Sequence, residues 1–389
     1  MKKLAIITTH PIQYYAPVFK LLHQRNNISI KVFYTWGEAS SNKHDPGFGK
    51  NISWDIPLLD GYPYVFLKNS SKGPGSHHFT GISNPGIKHE IKMYNPDAIL
   101  VYGWAFQSHL SIMRHYCGKI PIWFRGDSTL EDSSSGLRKF FRYLFLRWVY
   151  SFVDHTFFVG AANKRYYEKF GLSKEQLHFA PHAIDNKRFQ IDRNDEAQEL
   201  RARFNIDPHD ILILFAGKLE PKKDPELLLK AFSQLNKPHV HLLIVGEGVL
   251  KERLLEARDN IPNKHHLHFL DFQNQQQMPV IYQACDLFCL PSKGPGETWG
   301  LAVNEAMACG KAILVSDRVG CAEDLINEGH NGAVFRHGSG PHLLEKLSIL
   351  VKDLKELNKM GENSLSMIKE WTIEKQALII EDCINSDAK

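Results

Sequence analysis

Glu297-Thr-Trp-Gly-Leu-Ala-Val-Asn-Glu305, running on into Ala306-Met-Ala-Cys-Gly310, decides how the second half of this 389-residue chain is read. It sets two carboxylates eight positions apart across a junction of loop and helix. Gly300 permits close backbone approach where the helix should begin. Leu301, Ala302, Ala306 and Met307 favour helix, and Gly310 is the natural stop. A helix start offers N–H groups and a positive dipole end, which suit a phosphate. A carboxylate only accepts hydrogen bonds and can grip two sugar hydroxyls at once. The spacing therefore predicts one glutamate in the loop and one in the helix, holding polyol groups on either side of a diphosphate. Taken alone, such a pair reads as two ordinary helix-surface glutamates. Its setting between two apolar runs, predicted as buried strands over 287–290 and 312–315, reverses that weighting.

In that setting the chain resembles the retaining nucleotide-sugar glycosyltransferases of GT-B fold, the family-4, group 1 type. The resemblance rests on the two glutamates, Pro291-Ser292 before them and the run from Glu305 to Gly310. It continues through Ser316-Asp317, Val319-Gly320, Glu323 and Gly332, and is strong over residues 211–335. It implies an α/β chain of two Rossmann-like doubly wound domains facing across a deep cleft. Residues 1–189 would form the acceptor-side domain and 190–370 the donor-binding domain, with a helix over 371–389 crossing back. It also implies that Glu305 takes the ribose hydroxyls and Glu297 those of the transferred sugar. Backbone amides of Thr298, Trp299, Gly300 and Leu301 would face the phosphates, and Phe272 the nucleobase.

Transfer from a nucleotide sugar makes a diphosphate leave, and its growing charge needs a metal or fixed cations. No Asp-x-Asp element, the usual metal-binding signature of the other glycosyltransferase fold, occurs in the chain. Lys218 and Lys223 follow the predicted strand over 211–216 at the family's spacing, so they are expected to clamp the diphosphate without metal. Lys218 stands where relatives carry Arg, which keeps the charge and loses the bidentate fork. Gly246, in Gly246-Glu-Gly248, is expected beside the donor without chemistry of its own.

The first half offers the acceptor side. His10 and Gln13 lie in the first strand-to-helix loop, which lacks the glycines common in relatives. Arg125 and Asp127 follow the strand predicted over 121–124, where many relatives place a histidine. All four are read as catalytic or acceptor-side candidates, with loop packing as the alternative, and His182 joins them. The cations and aromatics of residues 137–150 read either as a surface for an anionic bilayer or, slightly better, as a core helix with snorkelling arginines.

Length and composition bound the rest. A chain of this length suits two domains, and 43% hydrophobic with 23% charged residues describes a globular protein. The apolar start ends at Thr8-Thr-His-Pro11, which predicts a first strand rather than a signal peptide. Six cysteines without a CxxC pair read as buried thiols of a reducing, cytosolic setting, and twenty histidines show no zinc spacing. Residues 1–190 carry 24 Lys and Arg against 13 Asp and Glu, the remainder 23 against 30. The basic half points to an anionic partner. A membrane's inner face or a phosphate-bearing acceptor fits it; no nucleic-acid motif accompanies the charge.

Strands are predicted over 4–8, 28–34, 98–102, 121–124 and 155–159, then 211–216, 241–245, 267–269, 287–290 and 312–315, alternating with helices. Residues 37–86 are expected to form a long irregular excursion with some strand, and 180–199 to link the domains. The expected activity is metal-independent retaining transfer of a sugar from a nucleoside diphosphate sugar to a saccharide or lipid-linked acceptor, with no other cofactor. The rival is a non-catalytic sugar-nucleotide-binding protein of the same fold. A Rossmann dehydrogenase ranks third, because no GxGxxG opens either half.

Overall fold

The computed structural model describes residues 1–38, 43–45, 50–132 and 136–386. The chain divides into two compact units. One comprises Met1–Lys43, Ile56–His182 and Ile373–Lys389, the other His44–Asp55 and Ala183–Thr372.

In chain order the first strands are β1 (Lys3–Thr8) and β2 (Ser29–Tyr34). A two-stranded ribbon of β3 (Lys43–Asp45) and β4 (Lys50–Ile52) follows. Then come β5 (Tyr64–Phe66), β6 (Ala98–Tyr102), β7 (Ile122–Arg125), β8 (His155–Phe158) and β9 (Leu177–Phe179). The first unit's sheet runs β5-β2-β1-β6-β7-β8-β9, parallel throughout. Leu4 to Ile7 and Ile99 to Val101 are wholly buried. Parallel strands covered on both faces read as unbroken apolar runs, as these do. Burying each such side chain contributes about 1.5–3 kcal/mol.

The second unit repeats the plan with β10 (Ile211–Ala216), β11 (Val240–Val245), β12 (Leu267–Leu270), β13 (Leu287–Leu290), β14 (Ala312–Ser316) and β15 (Gly332–Phe335). The order is β12-β11-β10-β13-β14-β15, again parallel. In each sheet the first strand is central and the winding reverses beside it: β1 lies between β2 and β6, β10 between β11 and β13. Such switch points open a crevice beyond the strands' carboxyl ends, where open α/β sheets hold ligands. This is the GT-B type of fold, with two parallel α/β units in one chain.

Several details differ from the sequence reading. The stretch expected as a linker is structured: Asn186–Gln190 and Asn194–Arg203 are helices. Asp185 caps the first by accepting from the Arg188 N–H, and buried Arg201 bonds the Ala284 carbonyl at 2.9 Å and the Asp286 carboxylate at 3.1 Å. The irregular excursion holds strand as expected, in β3, β4 and β5, but its residues 44–55 group with the second unit. The helix Leu137–Tyr150 is not a core helix. Only Leu146, Val149 and Tyr150 are buried, while Phe140, Phe141, Phe145 and Trp148 face solvent. The last helix, Ile373–Ser386, groups with the first unit. There the nearly buried Glu381 accepts from Arg25 Nε at 2.9 Å and Asn27 Nδ2 at 3.0 Å.

Candidate active site

The loops after β10 and β13 flank the second switch point, and they carry most of the predicted donor residues. Lys223 Nζ forms an ion pair with Glu297 Oε2, their side chains 17% and 7% exposed. Ser292 Oγ donates to the same carboxylate oxygen at 2.9 Å. Ser292 is itself pinned: the Ser316 hydroxyl at the end of β14 donates to its carbonyl. The backbone joins the two loops, since the Lys293 N–H donates to the Lys222 carbonyl at 2.8 Å. Desolvating a carboxylate is costly unless it is paired and hydrogen-bonded, and Glu297 has both.

Gly300 precedes the helix Leu301–Ala308 with φ of 99°, and no side chain caps that helix. A Cβ on Gly300 would fall 2.8 Å from Val319 and 3.7 Å from Glu297 Oε1. Glycine is thus favoured twice over, by backbone conformation and by the close approach of the Val319 side chain. The helix start therefore sits beside Glu297, and its uncapped first turn has N–H groups that suit an anion. Thr298 and Trp299 hold the turn through backbone. The Cys321 N–H donates to the Trp299 carbonyl at 2.9 Å, and a Cβ on Gly320 would strike the Thr298 carbonyl. The Trp299 side chain turns inward, donating to Asn304 Oδ1 at 2.9 Å, its ring 5.1 Å from that of Trp371.

Glu305 lies within the helix and is 4% exposed. Tyr282 OH, from the neighbouring helix Met278–Ala284, donates to its Oε2 at 2.8 Å. Gly246 and Gly248, both at positive φ, let the turn after β11 press on the loop carrying Lys218. Cβ atoms there would lie 1.9 Å from the Gly217 carbonyl and 2.4 Å from that of Leu219. Lys218 is half-buried beside them. Phe272 follows β12, its ring 6.3 Å from Trp54, and the Asp55 carboxylate accepts from the Gln276 N–H at 3.2 Å. No pattern in the sequence pointed to Trp54 or Tyr282 as partners of the donor residues; only chain folding brings them there.

In the first unit the candidates lie at the carboxyl ends of β1, β7 and β9. His10 Nδ1 lies 2.8 Å from the Thr9 hydroxyl, and its ring meets Trp36 edge-on at 5.3 Å. Gln13 is half-buried in the turn before the helix Ala16–Arg25. Arg125 is 2% exposed and donates to the carbonyls of Ala180 and Pro181 at 2.9 and 3.2 Å. Its guanidinium ties the chain after β9 to the end of β7. His182 is 5% exposed and stacks on Tyr15 at 6.5 Å. Burial, and then the Arg125 charge, push its pKa down to about 3, so the ring is neutral at pH 7. Asp127 is half-buried beyond the end of β7. His109, which the sequence did not single out, is wholly buried and bridges Thr35 at 2.8 Å and the Gly103 carbonyl at 2.7 Å. Burial lowers its pKa to about 4.

Among the described residues one cluster has metal-ligand character. His155, His178 and Cys383 bring their donor atoms within 4.8 Å of one another. It lies where β8 begins, away from the strand ends that carry Asp127. All six thiols are free, and no helix among the described residues is long and apolar enough to cross a membrane.

Residues 196–367 match the family model for Glycosyl transferases group 1. The chain carries a group 1 glycosyltransferase domain. The match takes in β10 to β15 and with them Lys218, Lys223, Glu297 and Glu305. The D-inositol 3-phosphate glycosyltransferase of Nocardia farcinica is 26% identical over 203 residues, 50% of this chain and 44% of that protein. The N,N'-diacetylbacillosaminyl-diphospho-undecaprenol alpha-1,3-N-acetylgalactosaminyltransferase of Campylobacter jejuni is 29% identical over 224 residues, 55% of this chain and 56% of that one. The chain thus spans about half the length of such curated relatives or less. Anabaena HepE, solved in complex with UDP, superposes with a TM-score of 0.74 over 99% of this chain and 100% of its own, at 17% identity. That likeness concerns the fold.

Proposed function

We propose that this group 1 domain works as a metal-independent, retaining glycosyltransferase. It moves a sugar from a nucleoside diphosphate sugar to a saccharide or lipid-linked acceptor, in the assembly of a surface polysaccharide or another glycoconjugate. The observation that carries the reading is the Lys223–Glu297 pair beside the uncapped start of the helix Leu301–Ala308. A cation, a carboxylate and a helix N-terminus converge there on one volume at the switch point. The phosphates take the helix amides with Lys218 and Lys223, Glu297 takes hydroxyls of the sugar, and Glu305, held by Tyr282, takes the ribose. Phe272 and Trp54 flank the base. As the bond to the anomeric carbon breaks, the lysines and the helix dipole stabilise the leaving diphosphate, the part a metal plays elsewhere.

In the first unit Asp127 orients the acceptor hydroxyl, with His10 and Gln13 beside it. Arg125 and His182 shape that wall without touching the reacting atoms. The departing phosphate takes the acceptor proton, so the mechanism needs no separate base. We place the protein in the cytoplasm at the inner face of a membrane, a reading supported by the exposed aromatics and cations of residues 137–150. Release of nucleoside diphosphate, assayed over a panel of nucleotide sugars, tests the reading. A chain that binds a nucleotide sugar and never turns it over would be the non-catalytic relative instead; the closed environments of Arg125 and His182 favour that second reading.

A further inference from the structure

Fourteen large apolar side chains are exposed among the described residues, and six of them lie on the single helix Leu137–Tyr150. Exposure runs from 78% at Leu137 and 65% at Phe141 to 41% at Phe145 and Trp148. A contiguous apolar patch of this kind marks a surface that is covered in use. The helix also carries Arg138, Lys139, Arg142 and Arg147 and no acidic residue. Beside it lies a cavity of about 330 Å³, formed with the helix Ala161–Lys169 and the residues following β7. Leu130, Phe140, Tyr143 and Phe170 give it apolar walls, while Lys139, Arg142 and Lys169 bring positive charge to its lining. Among the described residues, no carboxylate lines it.

We infer that this cavity takes the hydrocarbon chain of an anionic phospholipid, whose phosphate is held by Lys139, Arg142 and Lys169. The exposed face of the helix lies in the bilayer around that lipid. Two properties select this occupant. An apolar interior with Lys139, Arg142 and Lys169 in its described lining matches a molecule with a hydrocarbon tail and a negative head, and polybasic surfaces are drawn to anionic leaflets. A helix with large aromatics beside its cations sits at the boundary of headgroup and chain. The site adjoins the catalytic candidates: Leu130 lies three residues beyond Asp127, and Tyr167 of the second helix donates to the Gly126 carbonyl at 2.9 Å. Occupancy would thus brace the strand end that carries Asp127. The inference rests on the proposed membrane placement and names the lipid and its seat; it is independent of glycosyl transfer.

The test uses the full chain and monomeric dodecyl phosphate, with inorganic phosphate and dodecyl maltoside as controls, followed by calorimetry. Dodecyl phosphate should bind one per chain, with both controls at least about tenfold weaker. Leu130→Trp, which fills the cavity, and Lys169→Glu, at an exposed position, should each weaken it about tenfold or more, with nucleoside diphosphate affinity unchanged. In the second arm, vesicles of phosphatidylcholine with phosphatidylglycerol should sediment the protein, vesicles of phosphatidylcholine alone should not, and Phe141→Glu should abolish sedimentation. Equal binding of dodecyl and inorganic phosphate, or full affinity in both cavity variants, would overturn the inference even if vesicles bind. Self-association lost in Phe141→Glu, without vesicle binding, would overturn it by assigning the face to a second copy of the chain. Loss of nucleotide binding alone would count against the glycosyltransferase reading and leave the cavity standing.

Discussion

Lys223 and Glu297, 74 residues apart, form an ion pair at the point where the second sheet reverses its winding, with Ser292 bonded to the same carboxylate oxygen. Each partner makes the other's burial tolerable. Removing one leaves an uncompensated charge, a loss of about 3–5 kcal/mol for a buried pair. Lys223→Met should therefore lower the urea midpoint of the second unit more than Lys223→Met with Glu297→Gln. Additive losses would mean that the pair carries no coupling.

Lys223 also stands for the metal in the proposed reaction. Turnover should survive EDTA, and Lys223→Ala should lower kcat by about 100-fold or more, the scale for losing one stabiliser of developing charge. Steady-state kinetics with and without chelator check this. Activity that vanishes with EDTA and returns with magnesium would reassign the leaving-group chemistry.

The two glutamates should separate by ligand. Glu305→Ala should weaken free nucleoside diphosphate and intact donor alike, while Glu297→Ala should spare the free nucleotide and damage turnover. Tyr282→Phe, which deletes the 2.8 Å bond to Glu305, should weaken nucleotide binding by about tenfold, since a bond to a charged group contributes about 1.5–3 kcal/mol. Titration calorimetry with nucleotide and donor reads all three. Equal loss of nucleotide affinity in Glu297→Ala would reject the division.

Much of this was legible in the sequence for a physical reason. Strands buried on both faces, such as Ile211–Ala216 and Leu287–Leu290, are unbroken apolar runs that end where glycine or proline begins the loop. The donor residues cluster in those loops. What escaped were short elements and distant pairings. Strands β5 and β9 have three residues each, too few for a periodic signal. Strand β15 opens with Gly332, where a Cβ would lie 2.0 Å from the Ile313 carbonyl, a close approach no local pattern reveals. Arg125 looked like a functional cation because its partners, the carbonyls of Ala180 and Pro181, lie more than fifty residues on. The helix Leu137–Tyr150 looked like core because an apolar run does not say what will cover it.

Asp127 tests the first unit. Asp127→Asn keeps the shape and removes the charge. Turnover should fall by about 10–10⁴-fold, the span of orientation and acid–base effects, with donor affinity and Tm nearly unchanged. A fully active variant, or one that merely unfolds, would make Asp127 structural.

Two buried histidines and a half-buried one set an acid limit. His182, His109 and His268 have pKa values lowered by burial to about 3, 4 and 4. Their ordinary value is near 6.5, so between that pH and about 4 the unfolded chain binds protons that the folded chain refuses. Folding stability is then fully present above pH 6.5 and lost as pH falls. Each histidine contributes a slope of up to about 1.4 kcal/mol per pH unit. Urea midpoints from pH 7.5 to 4.5 should fall steadily, and less steeply in His182→Gln. A midpoint independent of pH would show that these rings protonate in the folded state.

The most direct test of the whole account is nucleoside diphosphate release by the purified chain against a panel of nucleotide sugars with a lipid-linked and a saccharide acceptor pool, run beside Lys223→Ala. Acceptor-dependent release from a sugar donor is expected, at a rate at least about 100-fold lower in the variant. Binding of a nucleotide sugar without any release, or release that Lys223→Ala leaves unchanged, would contradict it.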